Sequence, residues 1–166
     1  RKYAKKIKIK FICTAFDFES LNIVKKLKVD AIKIASSDIT DVPLIEKLSK
    51  IKKPIILSTG MSKTFEIKKI LKILRKNKVA ILHCISLYPC NFKEAHLNRI
   101  IALKNKFKKY TIGYSDHCMN TSASLQAMSL GADIIEKHFT LNKKKKGLDH
   151  SLSADSRDLQ TICEFS

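Results

Sequence analysis

Two histidines carry the first chemical signal in this sequence, because each follows a polar neighbour by two residues: Ser115 precedes His117, and Glu136 precedes His138. In an extended strand, side chains at i and i+2 share a face, so each pair is expected to project together. Two imidazoles from neighbouring strands, with carboxylates close by, can hold a divalent metal and leave coordination positions open. Such donors suit Mn²⁺, Fe²⁺, Co²⁺ or Zn²⁺ rather than Ca²⁺. A lone histidine more often caps a strand or fills a core pocket. Two at successive strand ends turn the weighing toward a metal site.

Lys33 lies in the apolar stretch Ala31–Ser36 and needs an anionic partner, since a bare ammonium in an apolar interior is expensive. Hydroxyls from Ser36, Ser58 and Ser115 would complete a cradle for a phosphate or carboxylate. The competing reading pairs Lys33 internally with Asp38 or Glu136, and a Schiff-base role ranks below both. His83, inside an apolar run, reads as a hydrogen-bonded core histidine, and His96 receives no role. Cys84 and Cys118 read as small buried residues with nothing beside them to activate a thiolate.

The elements that must position these groups follow from periodicity. Short β-rich runs are expected at Lys10–Phe16, Ala31–Ser36, Pro54–Thr59, Ala80–Ile85, Thr111–Ser115 and Ile134–Thr140. Amphipathic helices are expected between them at Glu19–Leu27, Leu44–Ile51, Phe65–Asn77, Leu97–Phe107 and Thr121–Leu130, with a last one from about Ser156. Strands apolar on both faces, alternating with one-sided helices, mean parallel strands covered by helices. Four glycines provide neither G-x-G-x-x-G nor a P-loop, which argues against an open dinucleotide-binding sheet. A (β/α)₈ barrel needs eight units and typically ~250 residues. The expectation is therefore an α/β chain, residues 1–166 forming one partial (β/α)₈ TIM barrel of about six βα units and lacking its N-terminal strands. Barrel enzymes work where strands end. Here the strand ends carry Thr14; Lys33 and Ser36; Ser58 and Thr59; Ser86 and Tyr88; Ser115, Asp116 and His117; and Glu136, Lys137, His138 and Thr140.

Composition narrows the class further. The chain has 166 residues, 45% hydrophobic, with 33 Lys+Arg against 15 Asp+Glu for a net +18. The excess is nearly all lysine at solvent positions of helical patterns, without the Arg forks and stacking aromatics of nucleic-acid readers. A solvated lysine surface is the favoured reading, and Lys143–Lys146 reads as a mobile loop tip. Five scattered cysteines without a C-x-x-C pair argue against a disulfide framework or zinc knuckle and fit a cytoplasmic setting. No run approaches the ~20 apolar residues of a membrane span.

Six motifs in register then resemble the sialic acid synthase (N-acetylneuraminate synthase) family. They are Lys33-Ile34-Ala35-Ser36, Pro54 through Met61, Leu82-His83-Cys84 with Tyr88-Pro89, Gly113 through His117, Ile135 through Thr140, and Gly147 through His150. The resemblance implies a transferase that condenses phosphoenolpyruvate, an N-acetylated amino sugar of the N-acetylmannosamine type and water into a nine-carbon acid, releasing phosphate by C–O cleavage. It implies a divalent metal on His117 and His138, Mn²⁺ ahead of Mg²⁺ or Co²⁺. It matches Thr14, Lys33, Ser36, Ser58, Ser86 and Ser115 to the phosphoenolpyruvate site, and Tyr88 and Asp149 to the acceptor sugar.

The resemblance also implies a homodimeric full-length protein with a C-terminal antifreeze-like domain, which is expected to be absent from residues 1–166. The family's catalytic Glu comes from the first strand region, so no residue here is assigned as catalytic and the chain alone is expected to be inactive. Asp38 stands where Glu is common, and Tyr88-Pro89-Cys90-Asn91 lacks a second proline; both bear on acceptor identity. The alternatives are another phosphoenolpyruvate-condensing aldose synthase on the same barrel, a non-catalytic remnant, and a cationic nucleic-acid-binding module.

Overall fold

The computed structural model describes residues 1–166. Contacts divide the chain into two compact units, Arg1–Ile81 and Leu82–Ser166.

The first unit opens with a short helix, α1 (Lys2–Lys6), that buries nothing. It continues with β1 (Ile12–Thr14), α2 (Phe18–Leu27), β2 (Ala31–Ile34), α3 (Val42–Ser49), β3 (Ile55–Ser58), α4 (Thr64–Ile73) and the start of β4 (Val79–Cys84). The helices start where their sequences supply caps. Asp17 Oδ1 accepts the Ser20 N–H at 2.6 Å, while Ser20 Oγ accepts the Asp17 N–H at 3.1 Å, a reciprocal box that opens α2. Asp41 Oδ1 accepts the Leu44 N–H at 3.0 Å at the start of α3, which also carries Pro43 in its first turn. In α4 the apolar stripe of Ile67, Ile70, Leu71 and Leu74 is buried, while Lys68, Lys69 and Lys72 face solvent.

Within this unit β1, β2 and β3 are parallel neighbours. The register sets Thr14 opposite Lys33, and Lys33 opposite Ile56. The other face of β2 and β3 carries Ile32, Ile34, Ile55 and Leu57, all at most 1% exposed, and Leu44, Ile45 and Leu48 of α3 are buried as fully. Strands buried on both faces are what a helix-covered parallel sheet requires, and a leucine sealed this fully contributes about 1.5–3 kcal/mol by leaving water.

The second unit takes up the end of β4, then α5 (Arg99–Lys106), β5 (Thr111–Asp116), α6 (Ser122–Ser129), β6 (Ile135–Lys137) and α7 (Ser156–Phe165). β5 and β6 are parallel, with Tyr114 opposite Ile135, Ser115 opposite Glu136 and Asp116 opposite Lys137. α6 buries the small residues Ala123, Ser124 and Ala127. Gly113 has no room for a side chain: a Cβ there would lie 2.5 Å from Ile134 O and 2.6 Å from Leu82 Cδ2. Asp155 caps α7 by accepting the N–H groups of Arg157 and Asp158.

Each expected strand and helix is present, with most bounds shifted: α2, α3, α4 and β4 start earlier, β5 ends one residue later, and the rest are trimmed. β1 and β6 shorten most, each to 3 residues, and β6 stops at Lys137 rather than Thr140. Beyond it the chain pairs instead with the segment before α7: Ala154 N–H donates to His138 O at 2.7 Å and Thr140 N–H to Ala154 O at 2.9 Å. In the Lys143–Lys146 turn, Lys143 Nζ donates to Asp158 Oδ2, which ties this stretch to the first turn of α7.

Candidate functional site

In the first unit, Thr14 and Lys33 share a face through their register, and Ser58 falls on that face two residues beyond Ile56. Lys33 is 9% exposed, and its ammonium donates to Ile34 O at 3.2 Å. Ser36 sits in the 3₁₀ turn Ser36–Thr40, and its Oγ accepts the Gly60 N–H at 2.9 Å, joining the end of β2 to the residue just past β3. Ser58 Oγ is buried and hydrogen-bonds to nothing in the chain. A hydroxyl in that state costs about 1–3 kcal/mol unless something from outside the polypeptide satisfies it.

In the second unit the strand ends assemble a tighter cluster. Ser115 Oγ donates to Glu136 Oε1 at 2.7 Å, as their opposed register dictates. Two residues further on, the His117 and His138 rings lie 5.7 Å apart, with 63° between their planes. Tyr88, following β4, places its ring 4.0 Å from His117 and edge-on to His138 at 5.8 Å. His138 Nδ1 lies 3.6 Å from Asp149 Oδ2. Ser86 is half-buried between β4 and Tyr88.

His117 is 5% exposed, and its Nδ1–H donates to Ile85 O at 2.7 Å. A carbonyl can only accept, so the proton is on Nδ1 and the neutral ring keeps its Nε2 lone pair free. Burial pushes the His117 pKa down, and the neighbouring His138 adds to the shift. The Tyr88 hydroxyl is pushed up, first by burial and then by nearby acidic groups.

The remaining strand-end groups turn elsewhere. Asp116 and Lys137 occupy the alternate face, where Lys137 Nζ donates to Asp116 Oδ2 at 2.9 Å and Ser124 Oγ of α6 donates to the same oxygen at 2.6 Å. Thr140 Oγ1 meets His150 Nδ1 at 2.7 Å. His83 is the core histidine its setting suggests: it is 3% exposed, hydrogen-bonded to Ala95 O at 2.7 Å and stacked on Tyr114. Cys84 and Cys118 are buried, and burial raises the Cys118 thiol to about 12, which leaves it unreactive. Glu136, expected from its i−2 spacing to share a face with His138, joins the cluster through Ser115.

These donors suit a metal in part. His117 is in the tautomer that a ligating imidazole needs, with its second nitrogen anchored on a backbone carbonyl. No group of three or more His, Cys, Asp and Glu side chains is gathered to hold a metal ion. A cation held here would have two imidazoles as its His ligands and its other positions open to water.

Repeating βα units with hydroxyl, carboxylate and imidazole groups at the C-terminal strand ends define an α/β chain of the (β/α)₈ TIM-barrel class, here with six strands. The chain belongs to the NeuB family, which it matches over residues 1–165, in keeping with the six motifs. An uncharacterized protein of Methanocaldococcus jannaschii is 47% identical over 165 residues, covering 98% of this chain and 49% of that protein. The N,N'-diacetyllegionaminic acid synthase of Campylobacter jejuni is 42% identical over 166 residues, covering 97% of this chain and 49% of that enzyme. Among solved structures, the N-acetylneuraminic acid (sialic acid) synthetase of Leptospira borgpetersenii, crystallised with citrate, superposes with a TM-score of 0.95 at 36% identity, covering 99% of this chain and 58% of that one. The chain spans about half the length of the curated relatives it matches.

Proposed function

We propose that the protein containing this chain condenses phosphoenolpyruvate with an N-acetylated amino sugar and water, giving a nine-carbon sialic-type acid and phosphate. The observation that carries this reading is the second-unit cluster, with two imidazoles and the Ser115–Glu136 pair on one face of adjacent strands. Two of the named relatives are an N,N'-diacetyllegionaminic acid synthase and an N-acetylneuraminic acid (sialic acid) synthetase, which supports it.

The chemistry balances with few groups. C3 of phosphoenolpyruvate forms a bond to the sugar's aldehyde carbon, and the aldehyde oxygen takes up a proton. Water then bonds to C2 and gives up one proton; the C2–O bond to phosphate breaks, the new hydroxyl's remaining proton leaves with the phosphate, and a 2-keto acid remains. In the first unit, Lys33 offers the anion one cation, and Thr14, Ser36 and Ser58 offer hydroxyls; the orphaned Ser58 Oγ supports that assignment. In the second unit, Ser86 and Ser115 add hydroxyls, while Tyr88 and Asp149 are assigned to the acceptor sugar. A divalent metal on His117 and His138, Mn²⁺ by preference, would supply Lewis acidity to the aldehyde oxygen. Burial keeps the His117 imidazole neutral, the form in which Nε2 can donate its lone pair. The five free cysteines fit a cytoplasmic setting, and no helix is long and apolar enough to cross a membrane.

The test is phosphate release from phosphoenolpyruvate by the complete gene product with Mn²⁺ and N-acetylmannosamine, alongside a panel of related N-acetylated sugars. Release that requires both metal and one of these sugars is expected. Sugar-independent release, or none with any sugar, would contradict the proposal.

A further inference from the structure

Cys118, the residue after His117, is held at both of its backbone polar atoms by one ion pair. Its N–H donates to Asp116 Oδ1 at 2.8 Å, and its carbonyl accepts from Lys137 Nζ at 2.6 Å. The pair itself closes at 2.9 Å, with side chains 5% and 0% exposed for Lys137 and Asp116. Ser124 Oγ of α6 and the Tyr114 hydroxyl complete the Asp116 carboxylate at 2.6 and 3.4 Å. The carbonyl of His117 is held too, accepting the Cys90 N–H at 2.9 Å.

We propose that Asp116 and Lys137 are positioning residues for the two imidazoles, fixing the rotation of the chain after β5 and β6 that sends His117 and His138 to the same side. A buried ion pair is weak evidence for stability alone, because desolvating two charges offsets their attraction. This pair does something a hydrophobic pair could not. It joins the residue before one imidazole to the residue before the other, and it uses its spare hydrogen bonds to clamp the backbone that follows His117. A slip of one residue at either strand end would move an imidazole to the α6 face. The functional weight of this role rests on the reading of His117 and His138 as working groups.

The experiment compares the native chain with Asp116→Asn/Lys137→Met, a double substitution that removes both charges and keeps similar volumes. Such a replacement is expected to leave the thermal midpoint close to native. Nuclear Overhauser contacts of the His117 ring with Tyr88 and His138, measured without metal, are expected to weaken or vanish. Mn²⁺ affinity by calorimetry is expected to fall about 10–100-fold, the usual cost of losing a group that orients a ligand. Native ring contacts in the folded double variant would overturn the inference. Should that variant fail to fold, Lys137→Arg keeps the charge but brings a planar fork in place of the ammonium. Displaced ring contacts are expected there as well, and unchanged ones overturn the inference. Failure of the native chain to bind Mn²⁺ would contradict the metal reading instead, while the ring contacts still decide the positioning role.

Discussion

His83 and His117 are both held below the ordinary imidazole pKa of 6.5 by burial, although only His117 lies beside Tyr88 and His138. The consequence for stability has a definite sign. The folded chain keeps these rings neutral, while the unfolded chain takes up protons as pH falls through about 6.5. Stability from this source is complete above that value and is lost as pH falls toward the depressed folded pKa values. Thermal unfolding at pH 5.5 and 7.5 is therefore expected to show a lower midpoint at pH 5.5. His83→Gln, which keeps a donor for Ala95 O, is expected to flatten that decline; an unchanged slope would contradict the assignment. At this scale the sequence was only partly legible. Alternation correctly pairs Ser115 with His117 and Glu136 with His138. Counting strand-end polarity alone also admits Asp116, Lys137 and Thr140, whose partners (each other, Ser124, the Cys118 carbonyl and His150) lie in positions that only the folded chain reveals.

The strands and helices were legible because hydrophobic periodicity and capping agree. Asp17, Asp41 and Asp155 all stand where a helix opens and are all engaged as caps. The misses have separate causes. α1 buries nothing, so no periodicity marks it, and the early end of β6 comes from pairing with Ala154, a partner distant in sequence. Gly113 tests how closely the second unit is packed. Its would-be Cβ meets the Ile134 carbonyl oxygen at 2.5 Å, and a backbone oxygen within a parallel ladder cannot rotate away. Gly113→Ala is expected to destabilise the chain by about 1–3 kcal/mol, the usual cost of overpacking. Urea unfolding would show a lower midpoint at unchanged slope, and a native midpoint would contradict the packing described.

For the whole molecule, the net charge of +18 is the dominant electrostatic fact. Lysines such as Lys68, Lys69 and Lys72 line solvent faces without matching acids, so self-repulsion opposes the compact state. Raising salt from about 0.01 M to about 0.15 M shortens the screening length from about 30 Å to about 8 Å and is expected to raise the thermal midpoint. A fall would mean that attractive pairs dominate the surface. The barrel class was legible from the strand spacing and the missing glycine-rich loop. Membership of the family was legible from six motifs in register, each of them weak alone.

The central claim is that the two imidazoles at the ends of β5 and β6 are the working heart of the site. It is tested most directly by measuring metal-dependent, sugar-dependent phosphate release from phosphoenolpyruvate in the complete gene product carrying His117→Ala or His138→Ala. Both substitutions are expected to abolish turnover while leaving the circular dichroism spectrum native. Full activity in either folded variant would contradict the account.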